Sequence, residues 1–217
     1  MISEDSERLI KIITQKVIEK LKEYEQSRIP IGISNRHIHL SQKDLDVLFG
    51  DGYNLTKKVD LKQPGQFASN ETVTIRGPKG EFNNVRILGP VRNESQVEIS
   101  RTDSFRLGLK ALVRESGDLD GTSGIEIIGP KGVIKLPHGA IIALRHIHMT
   151  PEDAQIMGIK DKDTVEVQIC GQRSGVLGDV LVRVSPKYKL EMHVDMDEAN
   201  AFDLKNNDCV IIKNKIN

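Results

Sequence analysis

The first stretch of the chain, SEDSERLIKIITQKVIEKLKEYE (3–25), places Leu9, Ile10, Ile13, Val17, Ile18 and Leu21 on one stripe at helical spacing and charges elsewhere. It predicts one amphipathic helix. That helix either docks on its own domain or a dimer partner, or lays its stripe on another protein as a detachable address. After a polar break at Gln26–Arg28 the periodicity changes. IPIGIS (29–34) has the composition of a strand, and SQKDLDVLFG (41–50) predicts a short helix with Ser41 as N-cap, Asp44 three residues on and Gly50 as its end. Short β-like runs follow: TVTIRG (72–77), NVRIL (84–88), QVEIS (96–100), GIEIIG (124–129), GVIKL (132–136), AIIAL (140–144), TVEVQI (164–169), VLVRV (180–184), EMHVD (191–195) and CVIIK (209–213). Turn residues separate them, with GPKG at 77–80 and again at 129–132. Many close-spaced short strands with few helices predict small β-barrels rather than a parallel βαβ sheet.

A repeat underlies the pattern. RHIHLSQKDLDVLFG (36–50) matches RHIHMTPEDAQIMG (145–158) in histidine couple, hydroxyl N-cap, acidic third position and apolar helix face. Pro151 falls in the first helical turn, where proline is tolerated. QVEISRTDS (96–104) aligns with EMHVDMDEA (191–199), each a β-run entering an acidic, polar segment, and Glu98 then stands opposite His193. The chain reads as two related halves, each with an HxH followed by one more metal-capable residue.

Residues two apart on a strand share a face, so His37 and His39 aim at one point, as do His146 and His148. With Glu98 and His193 the halves supply five imidazoles and one carboxylate, enough for two metal ions. Imidazole and carboxylate without thiolate suits zinc and is compatible with other divalent transition metals. About three protein ligands per ion leave open positions, as a catalytic site requires. The sixth histidine, His138, lies outside this pattern and reads as an ordinary loop residue. Arg92, in the segment feeding the Glu98 strand, is a natural fork for phosphate beside a metal.

Composition narrows the partners. The 217 residues carry 31 basic and 31 acidic side chains, so no global charge draws the chain to nucleic acid or an anionic membrane. Tryptophan is absent and aromatics make up 4%, which argues against a base-stacking platform. Cys170 and Cys209 are isolated, without metal or disulfide spacing, and suggest a reducing setting. No apolar run is long enough to span a membrane, and the N-terminal stretch lacks the features of a secretory signal.

The words SNRHIHLS, GPVRNESQVEISRTD, LRHIHM and MHVDMDEAN, in that order from about residue 29 to the C-terminus, closely resemble the phosphate propanoyltransferases, phosphotransacylases of bacterial microcompartments. The resemblance implies a mainly β fold of two six-stranded β-barrels. The helical segment 1–27 would precede a central barrel at 36–143 and a C-terminal barrel at 144–217 completed by strand 28–35. It implies two zinc ions, one on His37, His39 and Glu98 and the other on His146, His148 and His193. Arg92 would be the catalytic phosphate-binding residue, and Ser34, Asn35, Lys79, Arg86 and Asn200 would contact coenzyme A. The implied reaction exchanges a propanoyl or acetyl group between coenzyme A and phosphate.

The resemblance also implies a homodimer in the cytoplasm, inside a microcompartment of an aldehyde pathway such as propanediol degradation. Residues 3–25 would then address shell or core proteins. Three rival readings stay open: a di-zinc hydrolase of thioesters, a duplicated cupin-like barrel, and a non-catalytic metal-binding scaffold. The length is short for a (β/α)₈ hydrolase barrel, typically about 250 residues.

Overall fold

The computed structural model describes residues 4–216. In chain order its elements are α1 (Glu4–Gln26), β1 (Arg28–Ser34), β2 (His37–His39), α2 (Gln42–Phe49), β3 (Lys57–Asp60), β4 (Phe67–Arg76), β5 (Glu81–Gly89), β6 (Gln96–Glu98), α3 (Arg101–Leu107) and β7 (Leu112–Arg114). Then come β8 (Ser123–Ile128), β9 (Val133–Ala143), β10 (His146–Met149), α4 (Pro151–Met157), β11 (Thr164–Ile169), β12 (Gly175–Val184), β13 (Glu191–Asp195), α5 (Met196–Phe202) and β14 (Cys209–Lys215).

Two closed six-stranded barrels result. One runs β1-β13-β10-β12-β11-β14. The other runs β9-β6-β2-β5-β4-β8 and closes through the β4–β8 pair, with β3 attached to β4 and β7 to β9. Strand for strand the pairings correspond in order and direction. For example, β10 lies parallel to β12 and antiparallel to β13, as β2 lies parallel to β5 and antiparallel to β6. β1 precedes β2 in the chain yet pairs with β13 and β14, and β9 precedes β10 yet pairs with β6 and β8. Each half of the chain therefore gives its first strand to the other half's barrel.

Each barrel has its own core. Ile38, Leu40, Val73, Ile75, Ile87, Val97 and Ile127 belong to one, and Ile31, Ile147, Met149, Val165, Val182 and Met192 to the other. The residues alternating with the histidines, Ile38 and Ile147, are fully buried, so the apolar half of each HxH word anchors its strand.

Five elements depart from the sequence reading. The acidic segments after QVEIS and EMHVD are helices, α3 and α5, each opened by a capping box: Ser100 with Asp103, and Asp195 with Glu198. GVIKL and AIIAL form the single strand β9. It turns at Gly139, φ +116°; β8 pairs along it as far as Ala140, where β6 pairs too, and β7 pairs with it from Ile141 on. β3 and β7 were not anticipated; every residue of β3 is exposed, so no alternation marks it. His138 lies in β9 rather than a loop, with Nε2 2.6 Å from Glu94 Oε1.

The two GPKG words act as helix stops as well as turns. Lys79 N–H donates to Leu107 O at the end of α3, and Lys131 N–H to Leu48 O near the end of α2. A Cβ on Gly77 would stand 2.3 Å from Leu107 O, so only glycine permits that approach.

From Asp5 to Leu21 every side chain of α1 is exposed, including Leu9, Ile10, Ile13, Val17 and Leu21 at half their surface or more. The helix is not docked on the barrels of its own chain, which leaves a dimer partner or another protein for its stripe. Removing residues 1–27 should therefore shift the thermal midpoint by less than about 2 °C, the scale of a fraction of a kcal/mol to 1 kcal/mol in a chain of this size. A calorimetric scan of the truncated chain checks this, and a large drop would mean that the helix docks in solution.

Candidate metal centre

The register of two strand pairs builds the site. Across β2 and β6, His37 faces Glu98, and across β10 and β13, His146 faces His193. Each HxH couple thereby meets the third residue of its own barrel on one face. Ring centroids lie 5.1 Å apart for His37–His39, 4.7 Å for His146–His148, and 5.0 Å from His193 to each of its two neighbours. In each trio one donor atom per residue falls within 4.8 Å of the other two.

Strand ends are locked locally. β2, β6, β10 and β13 each run into a helix whose N-cap side chain, Ser41, Ser100, Thr150 or Asp195, accepts a backbone N–H of the first turn. The arginine before each histidine couple ties the pair together. Arg36 makes a bidentate contact with Asp103 at 2.9 and 2.7 Å, and Arg145 reaches Glu198 at 3.0 Å. Those carboxylates are the capping-box residues of α3 and α5, the helices that follow the third-donor strands.

Hydrogen bonds sort the ring nitrogens. Nδ1 of His37 lies 2.8 Å from Asn35 O, and Nδ1 of His146 lies 2.8 Å from Leu144 O, so Nε2 is left as the donor of both, and that of His37 lies 3.3 Å from Glu98 Oε2. His193 is reversed: its Nε2 lies 2.9 Å from Glu191 Oε2, which frees Nδ1. His39 and His148 each bury an Nδ1 with no hydrogen-bond partner.

Burial and the neighbouring cationic groups push His39 down to about 3, and burial and His193 push His146 down to about 4. Burial with His146, His193 and Arg183 takes His148 to about 2. Burial opposes charge on His37 as well, but the Glu98 carboxylate outweighs it and raises that imidazole, while Glu98 is held well below the usual carboxylate range. At neutral pH His39, His146 and His148 are therefore neutral imidazoles, the ligand form. Two trios of converging imidazole and carboxylate donors, within 4.8 Å of one another in each, fit a divalent transition metal each.

Both trios line one cavity of about 590 Å³ between the barrels. The family model for phosphate propanoyltransferases matches residues 30–205. A phosphate propanoyltransferase of Thermotoga maritima is 56% identical over 207 residues, 93% of this chain and 99% of the relative. One from Clostridioides difficile is 51% identical over 195 residues, 90% of this chain and 92% of its own, and one from Salmonella typhimurium is 51% identical over 193 residues, 88% and 91%. The chain belongs to the phosphate propanoyltransferase family. α1 lies outside the stretch matched by the family model.

Within this family member Ser34, Asn35, Arg86 and Arg92 also line the cavity. Arg86 Nη1 donates to Ser69 O and Asn70 O. Arg92 is held over the first trio: its N–H donates to Leu40 O, at the end of the His37–His39 strand, and its Nη1 donates to Ser116 Oγ at 2.9 Å. Burial lowers the Arg92 guanidinium from its usual value, with Arg183 adding to the effect and Glu98 opposing it. Lys79 and Asn200, expected as coenzyme contacts, do not line this cavity. Lys79 is exposed in the first GPKG turn, where its backbone serves α3, and Asn200 is exposed on α5.

Several lining residues were not singled out from the sequence. Ser116 Oγ donates to Glu98 Oε1 at 2.9 Å while accepting from Arg92, and Gln96 Nε2 reaches the same carboxylate oxygen at 2.6 Å. Glu191, Arg183, Tyr188, Lys62 and Gln63 complete the opposite wall. Gln96 and Glu191 had a readable signal, since each sits two residues before a metal-capable residue on a strand. Ser116 had none; a loop brings it back from 18 positions beyond Glu98.

Proposed function

We propose that the protein exchanges a propanoyl or acetyl group between coenzyme A and phosphate, at a site with two zinc ions held by His37, His39 and Glu98 and by His146, His148 and His193. The observation that carries this reading is the convergence of both trios and Arg92 on one cavity in a member of this family. When bound, the ions would supply Lewis acidity, stabilising a thiolate and polarising a carbonyl.

The chain's own groups account for the rest. Arg92, half-buried and engaged through one nitrogen to Ser116, keeps further N–H groups for phosphate oxygens, and an anion there would offset the cost of its burial. Ser34, Asn35 and Arg86 form the wall on which the coenzyme would rest. Phosphate attacks the thioester carbonyl, the C–S bond breaks, and the sulfur leaves with the bonding pair as coenzyme A thiolate. Direct transfer needs no acyl-enzyme. Neither cysteine lines the cavity, and Ser116 Oγ already donates its proton to Glu98. Holding both reactants together can lower the barrier by up to roughly 7–11 kcal/mol.

In the same reading the enzyme works as a homodimer inside a bacterial microcompartment, with α1 as the segment that docks on shell or core proteins. Its solvated apolar stripe supports this.

Purified protein should release thiol from propanoyl- and acetyl-CoA only when phosphate is present, and lose that activity with its bound metal under chelation. Release without phosphate would point to a hydrolase, and metal without release to a scaffold. Initial-velocity plots in the two substrates should intersect, whereas parallel lines would indicate an acyl-enzyme. Arg92→Ala should keep both ions by elemental analysis and lose at least about a hundredfold in turnover, the scale for removing one donor to a developing charge. Unchanged kinetics would remove Arg92 from the phosphate site.

A further inference from the structure

Two residues before its third donor, each barrel buries a polar side chain that reaches that donor, and the two contacts run in opposite senses. Gln96, 1% exposed, donates its amide Nε2 to Glu98 Oε1 at 2.6 Å. Glu191, 4% exposed, can only accept when ionised, and its Oε2 lies 2.9 Å from His193 Nε2. The positions are equivalent: Gln96 faces His39 across its strand pair, and Glu191 faces His148 across the other. An amide donor is matched to a carboxylate in one barrel, and a carboxylate acceptor to an imidazole in the other.

The fold makes room for the Glu191 carboxylate and compensates its charge. Gly32 stands beside His193 in register on β1, and a Cβ there would lie 2.7 Å from Glu191 Oε1. Lys62 Nζ lies 3.1 Å from Oε1, and Gln63 Nε2 donates to Oε2 at 3.3 Å. Gln63 is fixed in turn by bonds to Lys189 O and from Lys189 N–H. Glu191 is not part of the converging trio of His146, His148 and His193, so its effect passes through His193.

We propose that Glu191 is the positioning residue of the second metal centre, keeping the His193 proton on Nε2 and Nδ1 free as a donor, and lending the three-imidazole set the negative charge that Glu98 gives the first centre directly. The inference rests on the two-metal reading above. It gives each centre one buried carboxylate and makes the two unlike in coordination, because the second carboxylate occupies no ligand position.

Chelator competition on the full-length protein loaded with Co²⁺, followed by the visible cobalt spectrum, tests this. Wild type should hold two ions. Glu191→Gln keeps the shape and an acceptor oxygen but removes the charge; it should weaken one ion by about 10–100-fold, alter that ion's spectrum and leave the other ion at wild-type affinity. The unaffected ion reports that the chain is folded. The double variant Glu191→Gln/His193→Glu rebuilds the first barrel's Gln-x-Glu pattern and should restore the weakened ion to within a few-fold of wild type. Two ions at wild-type affinity with an unchanged spectrum in Glu191→Gln, equal weakening of both ions, or no recovery in the double variant would each overturn the inference. A wild-type protein that never holds a second ion would overturn the two-metal reading itself.

Discussion

The register of two antiparallel strand pairs is the constraint on which the site depends. His37 opposite Glu98 and His146 opposite His193 are single rungs of short ladders. A slip of one residue would send the donors to the barrel core and bring Ile38 or Ile147 to the cavity. Three-residue strands such as β2 and β6 carry too few hydrogen bonds to hold that register alone. The lock comes from their ends. A capped helix starts after each donor strand, and Arg36 and Arg145 reach across to the capping carboxylates of α3 and α5. The arginine in each RHIH word thus belongs to the same device as the histidines, although it touches neither trio.

Strand exchange places the two trios face to face. Because β1 leaves the C-terminal barrel to become β2 of the central one, and β9 makes the reverse passage into β10, the chain crosses between barrels immediately before each histidine couple. Asn35 and Leu144, whose carbonyls orient His37 and His146, lie at those crossings. The interface between barrels is therefore covalently tied at two equivalent points, and all six donors stand on strands, while loop residues such as Lys62, Arg92, Ser116 and Tyr188 complete the cavity wall. That is the kind of scaffold on which donor positions hold to a fraction of an ångström.

What the sequence revealed and what it hid follow from the range of the interactions. The barrel class, both histidine couples and the caps at Ser41 and Thr150 were legible because alternation and capping are written within a few residues. α3 and α5 were passed over. Ser100-x-x-Asp103 and Asp195-x-x-Glu198 spell the same cap as Thr150-x-x-Asp153, which opens the equally short α4, but no histidine couple stands before them to bring them into the repeat. β3 and β7 owe their existence to the strands they join, not to their own composition. In the site, Glu98 and His193 emerged from the repeat, whereas the partners that orient them required three-dimensional neighbours: Ser116 from a loop, and Lys62 and Gln63 from a segment far from Glu191 in the chain. Lys79 and Asn200 are motif positions that the resemblance ties to the coenzyme; both are exposed and neither is among the residues that line this cavity.

The energetics of the trios argue that the barrels are shaped around an absent charge rather than around each other. Five imidazoles and a carboxylate are packed close enough that burial and mutual repulsion hold His39, His146 and His148 far below their ordinary proton affinity. Protonating them would place unpaired cations in a low-dielectric pocket, and leaving them neutral strands the Nδ1 atoms of His39 and His148 without partners. Neither state is a comfortable one for a hydrophobic interface. A divalent cation in each trio would ease the conflict, since it binds neutral imidazoles and would set positive charge against Glu98 and Glu191, the two carboxylates buried beside the donors. On this view the polar hole between the barrels is stabilised by what it binds. Arg86, Arg92 and Arg183 on the cavity wall add positive charge that would favour anionic ligands.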